Sequence, residues 1–267
     1  MKWTAAAEAA VKKVPFFVRK RVRARVEQEA RQAGKHLVDL VDVRATQKRY
    51  LANMASEVKG YQLETCFGPN GCPHRANPSD RLARRIEAVL QGADLLSFLR
   101  TRVKGDLKFH HEFRVTLADC PNACSQPQIK DIGIIGACSP ILTEQPCTLC
   151  GACMDECREG AIELQGTGPE IEAGDCLHCG KCAAVCDSAT IGVGQKGFRV
   201  QLGGKLGRHP QLARELPGIF SEDEVVAVVQ WCLDFYMQHS RSGERFAELF
   251  TVSAYAQLTR AMGRSTL

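Results

Sequence analysis

The sequence lacks any apolar run of the roughly 20 residues that a membrane-spanning helix needs. The opening Met1-Lys2-Trp3-Thr4-Ala5 also lacks the apolar block and cleavage site of a secretory signal. Its 14 cysteines are not spread along the chain like those of a small disulfide-linked secreted protein; they fall in tight local groups. We therefore expect no membrane span, no disulfides and a cytoplasmic location.

The 267 residues are 45% hydrophobic and 24% charged, which is an ordinary globular composition. This length suits one large domain or two to three small ones, each with a buried core. Residues 1–60 contain no cysteine. Their apolar spacing, with valines or alanines at 18, 22, 26, 30 and 33, predicts a helix that starts near Val14-Pro15 and stops at Gly34.

Four cysteines form two pairs, Cys66-x5-Cys72 and Cys120-x3-Cys124. The alternating run 113–117 predicts a strand that delivers the second pair at a tight turn, and Gly and Pro bend the chain within the first pair. Together the pairs offer four thiolates to one metal centre. Spacing alone leaves zinc and an iron-sulfur cluster both open.

A second cysteine pattern is an internal repeat, C-x2-C-x2-C-x3-C, whose two copies are offset by 29 positions. This spacing is typical of two 4Fe-4S clusters, each gripped by three thiolates of one run and the last cysteine of the other. Zinc is the less favoured alternative. The pattern assigns the first cluster to Cys147, Cys150, Cys153 and Cys186, and the second to Cys176, Cys179, Cys182 and Cys157.

The paired cysteines and the run from Cys120 through Gly136 resemble the siroheme-dependent sulfite and nitrite reductases. The resemblance implies a third 4Fe-4S cluster on Cys66, Cys72, Cys120 and Cys124, with Cys124 bridging to the siroheme iron. It implies an α+β fold, with a siroheme/4Fe-4S half-domain at 61–140 and 194–267. A ferredoxin domain is inserted at 141–193, as in dissimilatory sulfite reductase subunits. Residues 1–60 are expected to form a small helical domain. The pattern from Trp3 through the Pro-Phe-Phe-Val-Arg-Lys stretch at 15–20 to about Met54 resembles the small helical domain at the end of one subunit of light-independent protochlorophyllide reductase.

The glycine-rich stretch after residue 202 predicts an anion contact, since glycines let backbone N–H groups approach closely. In the siroheme family a similar stretch touches the macrocycle, whose eight carboxylates suit cationic partners. The alternative is an ordinary strand-to-loop turn. The residues assigned to this contact are Gly203, Gly204, Lys205, Gly207 and Arg208.

The family's substrate-binding Lys-x-Lys pair corresponds to Glu112 and Arg114. Arg114 keeps the charge, whereas a carboxylate at 112 repels sulfite unless it is protonated or turned away, so Glu112→Lys is expected to raise turnover if the acid limits it. We assign catalysis to Arg114, Lys108 and Lys205, with His110 and His111 as possible compensation. The family's arginine-bearing lobe has no counterpart, which leaves four cations or a second subunit to complete the pocket: Arg44, Lys48, Arg49 and Arg75.

Two functions stay open. The first is a sulfite reductase-like enzyme with siroheme and three 4Fe-4S clusters, for which nitrite is the competing substrate. The second is an electron-transfer iron-sulfur protein or subunit derived from the same fold. Either needs a redox partner protein or ferredoxin-like donor, and a homo-oligomer is possible. Bound clusters lower the formal charge of +5 to roughly −1, so we expect no nucleic-acid partner. Cys232 is predicted to be a core residue, and Cys138 has no assignment.

Overall fold

A computed structural model of the chain describes residues 1–14 and 16–263, and within them every side chain except those of residues 17, 51–55 and 69. The chain divides into two units. One comprises Met1–Val58 and Val103–His110, and the other comprises Lys59–Arg102 and His111–Leu267. The segment Val103–His110, which the sequence placed in the reductase-like domain, therefore groups with the N-terminal residues.

The first unit contains helices and one short pair of parallel strands. The strands β1 (Lys2–Trp3) and β2 (Leu37–Val38) pair with Lys2 opposite Leu37. The helices are α1 (Ala5–Lys12), α2 (Phe16–Gln32) and α3 (Leu40–Glu57). Thr4 caps α1, and Asp39 with Asp42 forms a capping box at the start of α3.

The buried face of α2 follows the apolar spacing seen in the sequence. Val26 and Ala30 pack in a core with residues of α1, β2 and α3. Ala33 is exposed, because the helix has already ended before Gly34, which has φ of 72°. Pro15, which the sequence placed in the first turn, lies outside the described residues.

The second unit is organised around a five-stranded sheet in the described part of the chain, with the order β3-β4-β5-β8-β9. Strands β3, β4 and β5 run parallel, β8 is antiparallel to β5, and β9 is antiparallel to β8. The bounds are β3 (Tyr61–Thr65), β4 (Phe113–Ala118), β5 (Ile132–Leu142), β8 (Ile191–Leu202) and β9 (Arg214–Glu215). The first seven residues of β5 are buried, as expected for a central strand covered on both faces.

Helices α4 (Asp80–Gly92) and α5 (Leu95–Arg102) connect β3 to β4, as parallel strands require. Three helices follow the sheet: α8 (Glu222–His239), α9 (Phe246–Leu249) and α10 (Val252–Ala261). Ser221 and Glu224 form a capping box at the start of α8. Arg85 of α4 forms ion pairs with Glu222 and Asp223 of α8, which join these two helices. No helix within the described ranges has the length and apolar character needed to cross a membrane.

The cysteine repeat lies between two neighbouring antiparallel strands. Leu142 at the end of β5 is opposite Ile191 at the start of β8, so the intervening segment leaves and re-enters the sheet at one place. That segment contains α6 (Ala152–Glu156), α7 (Lys181–Ala184) and a hairpin of β6 (Ile162–Gln165) and β7 (Gly168–Ile171). A segment attached this way can be added to a sheet without changing its strand order.

Candidate functional site

Two parallel neighbours deliver the first cysteine set to one edge of the sheet. Thr65 ends β3 opposite Leu117 of β4, and the Cys66 N–H donates to the Leu117 carbonyl at 2.9 Å. Because the carboxyl ends of parallel strands meet at the same edge, Cys66 and Cys120 leave the sheet close together. The sequence analysis found the strand before Cys120 but missed β3, whose five residues carry only a weak apolar alternation.

The four thiols of this set influence one another. Burial raises the pKa of the Cys120 thiol; the backbone N–H of Asn122 opposes this, and the thiols of Cys124, Cys66 and Cys72 raise it further. Mutually repelling thiolates are stable together when a cationic metal core lies between them. The chemistry of this donor set therefore fits a metal cluster.

Three further N–H groups point at sulfurs of this set. The backbone N–H groups of Gly68 and Asp119 each donate to the Cys66 Sγ at 3.3 Å. The side-chain amide of Asn122 donates to the Cys124 Sγ at 3.0 Å. Such hydrogen bonds stabilise the thiolate form and tune the potential of an iron-sulfur cluster.

The cysteine repeat is also a repeat in backbone conformation. Left-handed φ values recur 29 positions apart at Leu149 and His178 (56° and 57°) and at Gly151 and Gly180 (79° and 73°). The N–H of Gly160 donates to the carbonyl of Cys157, and the equivalent N–H of Ala189 donates to the carbonyl of Cys186. Both copies therefore share the same local backbone geometry around their cysteines.

Each predicted four-cysteine set of the repeat lines its own cavity. Cys147, Cys150 and Cys153 of the first run share a small cavity with Cys186 of the second. Its other lining residues include Leu164, Val185 and Ile191, so the site is mostly apolar. The Cys186 Sγ also accepts from the Ile191 N–H at 3.3 Å. This arrangement supports the crossed pairing predicted from the sequence.

The second predicted set of the repeat lines a cavity of about 400 Å³, whose lining includes Cys157, Cys176, Cys179 and Cys182. Burial raises the pKa of Cys182 to about 11, and the other three thiols contribute to the rise. Cys120 lines the same cavity, so this set and the sheet-edge set lie next to each other.

All 14 cysteines are free thiols, as expected from their grouping. Of the two outside the three sets, Cys232 is fully buried in the core side of α8, as the sequence predicted. Cys138 is buried beside the repeat, where its N–H donates to the His178 carbonyl at 2.7 Å and its sulfur lies against Gly180. In the described part of the chain, no three His, Cys, Asp or Glu side chains are grouped around a single metal-ion position.

The carboxylate of Glu112 is turned toward the strand edge. It is only 3% exposed and accepts from the Lys59 N–H at 2.8 Å and from the Gln62 side-chain amide at 2.6 Å. The sequence analysis named this orientation as one way to avoid repelling an anion. Neither the charge of Glu112 nor its position in the family motif indicated these two hydrogen bonds.

The other predicted catalytic residues fall in different places. Arg114 is half-buried on β4, and its backbone N–H donates to the Asp131 carboxylate at 2.9 Å. Lys108 and His110 belong to the first unit, whereas His111 and Arg114 belong to the second. Their roles stay predictions.

The glycine-rich stretch is packed against the protein itself. A Cβ on Gly204 would lie 2.5 Å from the Gln128 carbonyl, and Gly203 has φ of 79° beside Phe250. Lys205 is paired with Glu248 at 3.1 Å. At Gly207, where φ is 113°, an added Cβ would meet no atom within 4 Å, and Arg208 is exposed. Close packing therefore explains the first two glycines, and the second half of the stretch stays accessible to a ligand.

Two buried acids near the site were missed by the sequence analysis. Asp119 precedes Cys120 and is 1% exposed. Asp131 is also 1% exposed, and burial raises its pKa to about 6 although Arg245 and Arg114 oppose the rise. The sequence offered one signal that Asp119 belongs to the site: it lies between a predicted strand and a cysteine predicted to bind a cluster.

Two family models match the chain. The model described as "Nitrite and sulphite reductase 4Fe-4S domain" matches residues 62–264. The model described as "Proto-chlorophyllide reductase 57 kD subunit" matches residues 3–46.

Curated relatives share parts of the sequence. The coenzyme F420-dependent sulfite reductase of Methanocaldococcus jannaschii is 31% identical over 135 residues, covering 51% of this chain and 22% of that protein. An anaerobic sulfite reductase subunit of Salmonella typhimurium is 26% identical over 141 residues, covering 53% of this chain and 35% of that protein. The chain thus spans only a minor part of the length of these two relatives.

Among solved structures, dissimilatory sulfite reductase I is similar with a TM-score of 0.52 at 15% identity. The match covers 82% of this chain and 58% of that chain. At this identity the likeness shows a common mixed α and β fold.

Proposed function

Because the chain belongs to the nitrite and sulphite reductase 4Fe-4S domain family, we propose that it is a sulfite reductase-like oxidoreductase with three 4Fe-4S clusters and siroheme. Sulfite is the proposed substrate and nitrite the competing one. The observation that carries the proposal is the division of twelve of the cysteines into three groups of four neighbouring thiols.

The residues around each set fit a cluster. In the sheet-edge set of Cys66, Cys72, Cys120 and Cys124, N–H groups donate to the sulfurs of Cys66 and Cys124. The two sets of the repeat line separate cavities, which supports an inserted ferredoxin domain at 141–193 within a reductase-like domain at 61–140 and 194–267. Bound clusters would supply single electrons, and a bound siroheme would supply the redox-active iron at which the substrate is reduced.

For siroheme, the fit is strongest at Cys124. Cys124 is an exposed residue at the sheet edge, which suits the proposed bridging role, and the Asn122 side-chain amide donates a hydrogen bond to its sulfur. Gly207 and Arg208 are accessible and suit a macrocycle carboxylate. Gly203 and Gly204 are already in close contact with protein atoms, and Lys205 has an acidic partner. We therefore give the first three residues of the stretch a smaller part in holding the macrocycle.

For the substrate anion, Arg114 is the proposed contact. It lies on the strand that leads to Cys120, and its planar guanidinium suits an oxyanion. Lys108 and Lys205 are the further catalytic candidates. The chain covers a small part of its sulfite reductase relatives, so a second subunit or a second copy is proposed to supply further cations.

The remaining proposals concern surroundings and partners. Residues 1–60 are proposed as a small helical domain that docks near a tetrapyrrole or a redox partner, supported by the family match at residues 3–46. A ferredoxin-like protein is the proposed electron donor, and the cytoplasm is the proposed location.

A second candidate function is an electron-transfer iron-sulfur subunit without sulfite turnover. Glu112 stands at one of the family's lysine positions and is held by β3 and Lys59, and Lys205 is held by Glu248. These two contacts reduce the positive charge available to an anionic substrate.

The absorption spectrum of the anaerobically purified chain, followed by turnover with reduced methyl viologen, tests the choice. If the chain is a siroheme-dependent enzyme, we expect chlorin-type bands together with sulfite-dependent or nitrite-dependent oxidation of the viologen. A brown protein without chlorin bands and without turnover supports the electron carrier. A colourless protein contradicts both.

A further inference from the structure

We propose that Asp119 is a positioning residue that holds the two cysteine pairs of the sheet-edge set at the separation a cluster needs. The inference rests on the proposed function, because it assumes that Cys66, Cys72, Cys120 and Cys124 hold one cluster. Asp119 immediately precedes Cys120 but is fixed mainly by the chain that follows Cys72.

The carboxylate of Asp119 binds two residues of that chain. Its Oδ2 accepts from the Arg75 Nε at 2.6 Å. Its Oδ1 accepts from the Ser79 N–H at 3.2 Å and also from the Ser79 hydroxyl. Both oxygens are thus used, and each bond crosses from the Cys120 loop to the segment after Cys72.

The backbone of Asp119 makes the same connection. Its carbonyl accepts from the N–H groups of Ala76 and Asn77 at 2.8 and 3.1 Å. Its N–H donates to the Cys66 Sγ at 3.3 Å. One residue therefore contacts a ligand of the first pair, adjoins a ligand of the second pair and fixes the chain that leaves the first pair.

Two glycines make room for this residue. A Cβ on Gly68, inside the first cysteine pair, would overlap the Asp119 carboxylate, and a Cβ on Gly136 of β5 would overlap its carbonyl. Gly68 has no left-handed φ, so close approach to Asp119 is the physical reason for glycine there.

The expected effect is selective. Residues that orient metal ligands through hydrogen bonds typically change metal affinity by roughly 10- to 100-fold when they are replaced. Asparagine at 119 keeps the shape but presents N–H groups to Arg75 or Ser79, which are themselves donors. The loops should then hold their cluster more weakly, and the two sets of the repeat, which do not contact Asp119 in any hydrogen bond described, should be unaffected.

The experiment measures iron release from the full, anaerobically reconstituted chain to a chelator, with electron paramagnetic resonance of the reduced protein to identify the cluster that is lost. Cys120→Ser serves as the reference and should lack about four of the about twelve cluster irons. Asp119→Asn should release about four irons roughly 10- to 100-fold faster than the wild type, with the others released at the wild-type rate. Asp80→Asn is the matched control, because Asp80 also binds Arg75 but is 46% exposed.

Equal release rates for Asp119→Asn and wild type would overturn the inference, and so would acceleration of all irons together, which indicates general unfolding. If Asp119→Asn does not fold, Arg75→Lys replaces it. That variant keeps the charge, loses the guanidinium fork and should accelerate release of the same four irons; an unchanged rate overturns the inference. A Cys120→Ser protein with the wild-type iron content would instead refute the cluster assignment itself.

Discussion

Replacing Glu112 with lysine should destabilise the second unit. The position in the family motif alone predicted a gain in turnover, whereas the structure predicts a loss of folded protein. The carboxylate accepts hydrogen bonds from the Lys59 N–H and the Gln62 amide while it is almost completely buried. A lysine ammonium has donors only, so both N–H groups would lose their acceptor and would face a positive charge.

The magnitude follows from those two bonds. A buried donor left without its acceptor costs about 1–3 kcal/mol, so Glu112→Lys should cost about 2–6 kcal/mol. Glutamine keeps one carbonyl oxygen and should cost about 1–3 kcal/mol. Since domains are stable by only about 5–15 kcal/mol, the lysine variant could lose a large share of the folded population.

Thermal unfolding, followed anaerobically by circular dichroism at one scan rate, measures this effect. The midpoint should fall by about 2–4 °C for each kcal/mol, in the order wild type, Glu112→Gln, Glu112→Lys. Glu64→Gln on β3, the strand that carries Gln62, is the control, because the Glu64 side chain is 48% exposed and its replacement should change stability little. A Glu112→Lys protein with the wild-type midpoint and faster sulfite turnover would refute the reasoning.

Three further predictions concern other parts of the second unit. Gly180→Ala should reduce the iron content by about four, since its φ is 73° and its Cβ would lie 2.7 Å from the Cys138 Sγ, whereas Gly166→Ala, with φ of 53° and open space, should keep its iron. Cys186→Ser and Cys157→Ser should abolish different clusters in paramagnetic resonance spectra; loss of the same signal in both would contradict the crossed pairing. Asp131 has a folded pKa of about 6, above the 3.8 of the free side chain, so its contribution to stability is full below pH 3.8 and is lost as the pH rises through 6. Unfolding midpoints at pH 5 and pH 7 should therefore differ less in Asp131→Asn than in the wild type, and an equal difference would contradict the raised pKa.

Local signals explain which elements were predictable from the sequence. The end of α2 just before Gly34 and the strand β4 over the alternating run 113–117 depend on neighbouring residues, and both are as predicted. Strand β8 runs from Ile191 to Leu202. Its first half is fixed by pairing with β5, a partner about fifty residues away that no local pattern indicates.

The same contrast holds for the site. The cysteine spacing divided the repeat into two sets of four, and the cysteines of each set line one cavity; their binding of clusters stays a prediction. The environment of Glu112 and the contacts of Asp119 were beyond reach, because both depend on residues about 40 to 50 positions away in the sequence. Glycines at 203 and 204 suggested a ligand contact, yet close protein packing accounts for them.

The most direct test is the content of iron and acid-labile sulfide in the anaerobically purified chain. Three cubanes with siroheme predict about thirteen irons and about twelve sulfides per chain. Zinc in place of iron, with no acid-labile sulfide, would contradict the assignment of the three four-thiol sets.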